Sequence, residues 1–183
     1  ALMIGIPEFH MVLQMYEGLT RLDEDNRPQP ACAEDWETSE DFTEYIFHLR
    51  DDLKWSNGDP LTAYDFEFAW KRAIDPALAA DYCYMFDLIK GAIDCYEGTG
   101  SADEVAINAL DEKTLEVKLI SGAPYFLDLT AFPIYFPLHR ESVEADNEGW
   151  HLEPETTVVN GPFKLEKREQ GRLEYVPNEN YWD

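Results

Sequence analysis

The sequence predicts a mixed α/β fold of the α+β kind, in which strands come as hairpins and helices fall between them without regular β-α-β alternation. Three observations carry that reading. Thr43, Tyr45, Phe47 and Leu49 alternate with Glu44, Ile46, His48 and Arg50, the period of a half-buried strand. Val105–Leu110 and Thr114–Leu119 flank the turn-forming Asp111-Glu112-Lys113, a second hairpin. Between them, Thr62 stands three residues before Asp65 in a capping-box arrangement, and Phe66, Ala69, Trp70 and Ala73 then recur at helical spacing.

Taken in order, Pro7–Gly18 reads as a helix, with Phe9, Val12, Leu13 and Tyr16 on one face and Gly18 as its stop. Leu19–Leu22 is a short strand leading into an Asp23–Asn26 turn and a proline-punctuated loop. Trp36–Thr38 and Phe42–Arg50 pair across Ser39-Glu40-Asp41, and Asn57-Gly58 makes a tight turn. Asp75-Pro76 ends the helix begun at Thr62. A less regular helix is expected over Ala79–Ile89, and a short one near Pro124–Leu129. Arg140–Glu155, acidic and poor in apolar residues, reads as a surface helix and loop. Phe163–Lys167 and Leu173–Val176 form a last hairpin around Gln170-Gly171. Trp55, beside the Asn-Gly turn, and Trp70, on the helix, both read as scaffold.

Composition excludes several functions. Of the 183 residues, 45% are hydrophobic and 14% aromatic, enough for a packed core. Fourteen Lys and Arg against 38 Asp and Glu leave a formal charge of −24. A nucleic-acid backbone or an anionic membrane surface calls for the opposite sign. The charge itself reads as a solvated, self-repelling surface, with attraction of cationic ligands as the alternative. No apolar run is long enough for a membrane helix, and Ala1-Leu2-Met3-Ile4 has no basic n-region of a signal peptide. Any export signal is therefore expected upstream. Cys32, Cys83 and Cys95 are odd in number and lack metal spacing, so buried free thiols are expected, with a Cys83–Cys95 bridge as the alternative.

Catalytic signatures are missing. There is no GxSxG, HExxH, P-loop or GxGxxG, and His10, His48, His139 and His151 are scattered. Asp23-Glu24-Asp25 and Asp51-Asp52 do not follow a calcium loop. No enzyme, metal or cofactor is expected.

One stretch is far more specific. Phe47-His48-Leu49-Arg50 followed by Lys54-Trp55-Ser56-Asn57-Gly58-Asp59-Pro60-Leu61-Thr62-Ala63-Tyr64-Asp65-Phe66 closely resembles the signature of family 5 extracellular solute-binding proteins, the oligopeptide and dipeptide receptors of bacterial ABC importers. Further motifs keep that family's order: Tyr16-Glu17-Gly18-Leu19, Ala33-Glu34-Asp35-Trp36, Trp70–Pro76, Asp111–Leu119, Pro124-Tyr125-Phe126, Asn160-Gly161-Pro162-Phe163 and Asn178–Asp183. The resemblance covers this chain but only part of a family member.

It implies a periplasmic-binding-protein-like (class II) architecture. Residues 1–16 and 137–183 would belong to the main α/β lobe and 17–136 to a small α+β lobe, with the distal lobe absent. Ligand would lie between lobes as an added β-strand, its side chains in hydrated pockets, and a hinge would close over it. Gly5-Ile6-Pro7-Glu8 resembles the family's Gly-Val-Pro-Glu, which makes Ile4, Gly5 and Ile6 candidate main-chain contacts to the peptide. The residues themselves equally suit a strand-to-helix turn with Pro7 at the first helical position. Tyr82 falls where the family has a cleft-lining tyrosine, burial in the small lobe being the competing reading. The implied partners are a peptide and the permease subunits of an importer, with the protein a monomer outside the cytoplasm, periplasmic or lipid-anchored. A different solute, such as a nickel complex or an oligosaccharide, or a surface receptor without transport, is the alternative. Lacking one wall of the cleft, this chain alone is expected to hold di- to pentapeptides weakly or not at all.

Overall fold

The computed structural model describes residues 6–183. Its centre is a four-stranded antiparallel sheet ordered β3-β4-β6-β5, from Ala33–Thr38 (β3), Glu44–Leu49 (β4), Ile107–Ala109 (β5) and Thr114–Lys118 (β6). Along β4 the predicted alternation holds: Tyr45, Phe47 and Leu49 are buried, and Glu44, Ile46 and His48 are not. Tyr45 stands opposite Val117 and Phe47 opposite Leu115, so apolar side chains of neighbouring strands share one face. His48 lies on the other face and meets Glu37 at 3.0 Å, as a partly exposed strand histidine should.

Helix α2, Ala63–Ala73, covers the apolar face with Phe66, Ala69, Trp70 and Ala73 buried. It starts where expected. The Asp65 carboxylate accepts the Thr62 backbone N–H at 2.8 Å, closing one of the helix's open donors. Trp70 is fully buried, and its indole N–H donates to the Tyr135 carbonyl at 2.6 Å. Tyr135 in turn lies 4.4 Å from Phe86 and 5.0 Å from Trp70, ring centre to ring centre. These rings, with Tyr45, Phe47 and Phe126, form the aromatic centre of the core, and both scaffold tryptophans are at 0% exposure.

Around this unit run smaller pieces. α1 spans Ile6–Met15, and β1 (Thr20–Leu22) pairs with β2 (Pro28–Pro30) around the Asp23 turn. Three short helices follow: α3 (Ala92–Tyr96), α4 (Phe126–Leu129) and α5 (Arg140–Ala145). The last hairpin, β7 (Phe163–Glu169) with β8 (Arg172–Pro177), turns at Gly171 as expected. Among the described residues no helix is long and apolar enough to cross a membrane.

Three expectations need correction. Ala79–Ile89 is not a helix. Ala79 takes a left-handed φ of 49°, which an L-residue adopts at a cost and a helix cannot contain, and only Cys83–Phe86 makes a 3-10 turn. Beyond it the chain joins the sheet edge: Ile89 bridges Leu119, and the Ile120 N–H donates to the Leu88 carbonyl. Phe42 is not in a strand either; its φ of 57° places it in the turn before β4. All three cysteines are free, but Cys83 is only half-buried, whereas Cys32 and Cys95 are buried.

An aromatic face and a sealed clasp

Four rings run together on one side of the molecule. Phe9, one turn into α1, lies 5.0 Å from Phe132; Phe132 lies 6.2 Å from Tyr82; Tyr82 lies 6.1 Å from Tyr84. All four are partly or largely exposed, Tyr84 at 57%. Tyr82 sits at the head of the 3-10 turn, half-buried against the core edge. It is therefore neither a core residue nor a free one. Such rings offer broad apolar area with little rotamer entropy to lose.

Of the residues expected to touch ligand, Ile4 and Gly5 lie outside the described residues, and Ile6 opens α1. The aromatic run nevertheless links the beginning of α1 to Tyr82 through a single intervening ring. Phe9 and Phe132 were not singled out by the sequence reading as ligand-facing. Phe132 sits in the apolar stretch Ala131–Leu138, which gives no hint of which rings turn outward.

Behind α1 the chain is closed by a polar knot. The Glu17 backbone N–H donates to Asn160 Oδ1 at 3.2 Å, and Asn160 Nδ2 donates back to the Glu17 carbonyl at 3.0 Å. The Glu17 carboxylate accepts the Trp182 indole N–H at 2.6 Å and the Tyr181 hydroxyl at 3.0 Å. Arg50 stacks over the Trp182 ring at 3.8 Å from its centre, and Arg21 reaches both Glu17, at 3.7 Å, and Asp183, at 2.6 Å. Burial holds the Glu17 carboxyl above the ordinary range, against the lowering effect of its Trp182, Tyr181 and Arg21 partners. The Cys32 thiol, sharing this pocket, is pushed up by burial and the nearby Glu17 charge, so it is unreactive.

Gly161 is where a side chain is forbidden. A Cβ there would stand 2.6 Å from the Met15 carbonyl carbon and the Tyr16 nitrogen, where the Gly161 N–H donates to the Met15 carbonyl. Segments 15–19, 160–161 and 178–183, far apart in sequence, thus meet at one point.

Comparison with known proteins follows the same line. A model of "Bacterial extracellular solute-binding proteins, family 5 Middle" matches residues 27–183. The chain is 43% identical over 175 residues to the oligopeptide-binding protein OppA of Bacillus subtilis, covering 94% of this chain and 32% of that protein. It is 44% identical over 168 residues to the dipeptide-binding protein DppE of the same organism, covering 91% and 31%. Among solved structures, Listeria monocytogenes OppA bound to peptide superposes with a TM-score of 0.93 at 41% identity, over 99% of this chain and 36% of that one. The chain therefore spans about a third of the length of the relatives it matches. The periplasmic-binding-protein-like architecture expected from the motifs is the one these structures share. The chain belongs to the bacterial extracellular solute-binding proteins of family 5.

Proposed function

We propose that this chain forms one wall of the ligand cleft in an extracytoplasmic receptor that delivers oligopeptides or dipeptides to the permease of an ABC importer. The observation carrying this reading is the aromatic run Phe9–Phe132–Tyr82–Tyr84, which joins the start of α1 to Tyr82 across an exposed face. Relatives described as oligopeptide- and dipeptide-binding proteins support the choice of solute. Ile4, Gly5 and Ile6 would offer main-chain groups to an extended peptide, and Tyr82 would pack its ring on the peptide backbone.

In this reading residues 17–136 make the small lobe. Residues 1–16 and 137–183 belong to the main lobe, sewn to the small one by the Glu17–Asn160–Trp182 knot. Closure by a further lobe adds the contacts that hold the ligand tightly. The receptor acts as a monomer outside the cytoplasm and performs binding without chemical turnover.

The test is calorimetry on the protein carrying this chain at the full length of its relatives, with a panel of di- to pentapeptides. Tight binding that weakens about tenfold or more in Tyr82→Ala, the loss of roughly 1.4 kcal/mol, is expected. No peptide binding at all, with uptake of an unrelated solute, overturns the assignment.

A further inference from the structure

Neither the aromatic face nor the Glu17 knot uses His139, yet its surroundings are built. The ring is buried, at 8% exposure, and stands edge-on to the fully buried Trp55 ring at 5.5 Å. It is the cap residue of α5, and one nitrogen, Nδ1, lies 2.8 Å from Ser142 Oγ and 3.3 Å from the Ser142 backbone N–H. The other, Nε2, points at Asp59 Oδ2 at 3.1 Å. Glu141, in the first turn of α5, completes a group whose three ligand atoms lie within 4.8 Å of one another.

We propose that Asp59, His139 and Glu141 form a binding site for a divalent transition cation of the zinc class. Donors on one such ion sit about 2.0–2.2 Å from it, so a group of this spread closes on a cation with small side-chain rotations. The donor set is selective in kind. An imidazole nitrogen suits zinc, nickel or copper, whereas calcium and magnesium prefer all-oxygen shells. Two carboxylates neutralise the ion, and water fills the remaining position from the exposed side.

Supporting contacts hold the ligands in place, as outer-sphere partners do in metal sites. Asp59 sits in the Asn57-Gly58 turn, where Gly58 has a φ of 94°, and Asn57 Nδ2 donates to Asp59 Oδ2 at 2.6 Å. The Asp59 N–H donates back to Asn57 Oδ1 at 3.1 Å. With the ring proton on Nε2, Nδ1 accepts the Ser142 backbone N–H, capping α5, and Nε2 donates to Asp59. A cation on Nε2 moves that proton to Nδ1, where Ser142 Oγ accepts it at the loss of the backbone cap bond. Protein cations do not compete: among the described residues no Lys or Arg pairs with Asp59 or Glu141, and Arg140 turns away to Glu144 at 2.7 Å.

The site stands whatever the solute in the cleft proves to be. Its test is titration of this chain with Zn²⁺ at physiological ionic strength, followed by calorimetry and by the NMR shifts of the His139 ring. One equivalent is expected to bind, to shift the His139 resonances, and to lose about tenfold or more in affinity in each of Asp59→Asn and Glu141→Gln. Both positions are exposed, so both variants keep the fold. Glu148→Gln, an exposed position just beyond the same short helix, should leave uptake unchanged. Three results overturn the proposal: no stoichiometric uptake, uptake indifferent to the Asp59 and Glu141 changes, or uptake falling equally in Glu148→Gln. The last would mean diffuse attraction to an acidic surface.

Discussion

The Glu17 knot and the aromatic face lie at opposite ends of the same short helix, and they solve opposite problems. Around Glu17 a buried charge is surrounded by donors: an indole, a phenol and a guanidinium reach its carboxylate, and an amide clamps its backbone. Removing one partner leaves a desolvated group without compensation, which is why such knots tolerate little change. At Phe9, Phe132, Tyr82 and Tyr84 the rings are partly or largely exposed and successive ring centres lie 5.0 to 6.2 Å apart, with no comparable polar network. Such a surface costs little to alter and has much to give to a ligand. The contrast separates what holds the segments together from what remains available for contact.

The largest effect should come from Trp182→Ala. It removes a charge-assisted hydrogen bond to Glu17 and the platform under Arg50, and should lower unfolding free energy by about 3 kcal/mol or more in urea titrations. A loss no larger than that of an ordinary surface change would mean the knot is ornamental. By contrast, Tyr82→Ala should cost about 1 kcal/mol or less of stability, since its half-buried ring, unlike that of Trp182, has no side-chain hydrogen bond among the described residues. If both variants lose the same stability, the distinction drawn between the two regions is wrong.

Glu17 also makes the knot pH-sensitive. Its folded carboxyl holds a proton more tightly than the unfolded chain does, so its contribution favours folding below the ordinary carboxylate range. That contribution is lost as pH rises through the folded value. Relative to Glu17→Gln, the natural protein should therefore gain stability as pH falls from neutral toward that range. Thermal melts of both proteins across that interval check the sign; parallel curves would remove Glu17 from the account. The smallest effect is a general one. With a net charge of −24, added salt should raise the melting temperature by a few degrees at most, because screened repulsion outweighs a handful of exposed ion pairs. The same salt should leave the Trp182→Ala deficit nearly untouched, as the carboxylate of buried Glu17 is poorly screened.

Local signals carried much of this architecture. The alternation along β4, the Thr62–Asp65 cap, the Gly58 and Gly171 turns and the three-residue hairpin at Asp111–Lys113 are all short-range, and each appears where its residues put it. Where the signal was weak it misled. The irregular apolar pattern at Ala79–Ile89 suggested a helix, but the Leu88–Ile89 backbone found better partners on the sheet edge.

The sequence by itself determined the α+β class, the faces of its strands and helices, and the family through a motif too long to arise by chance. Tertiary structure alone decided that Glu17, Asn160 and Trp182 meet, since these positions are separated by up to 165 residues and nothing local couples them. It also decided that Asp59, in a turn, and His139, at a helix start, share one site across 80 residues. Hydrogen-bond caps and turn conformations are settled within a few neighbours. Burial and the pairing of distant polar groups are settled only when the whole chain has closed around them.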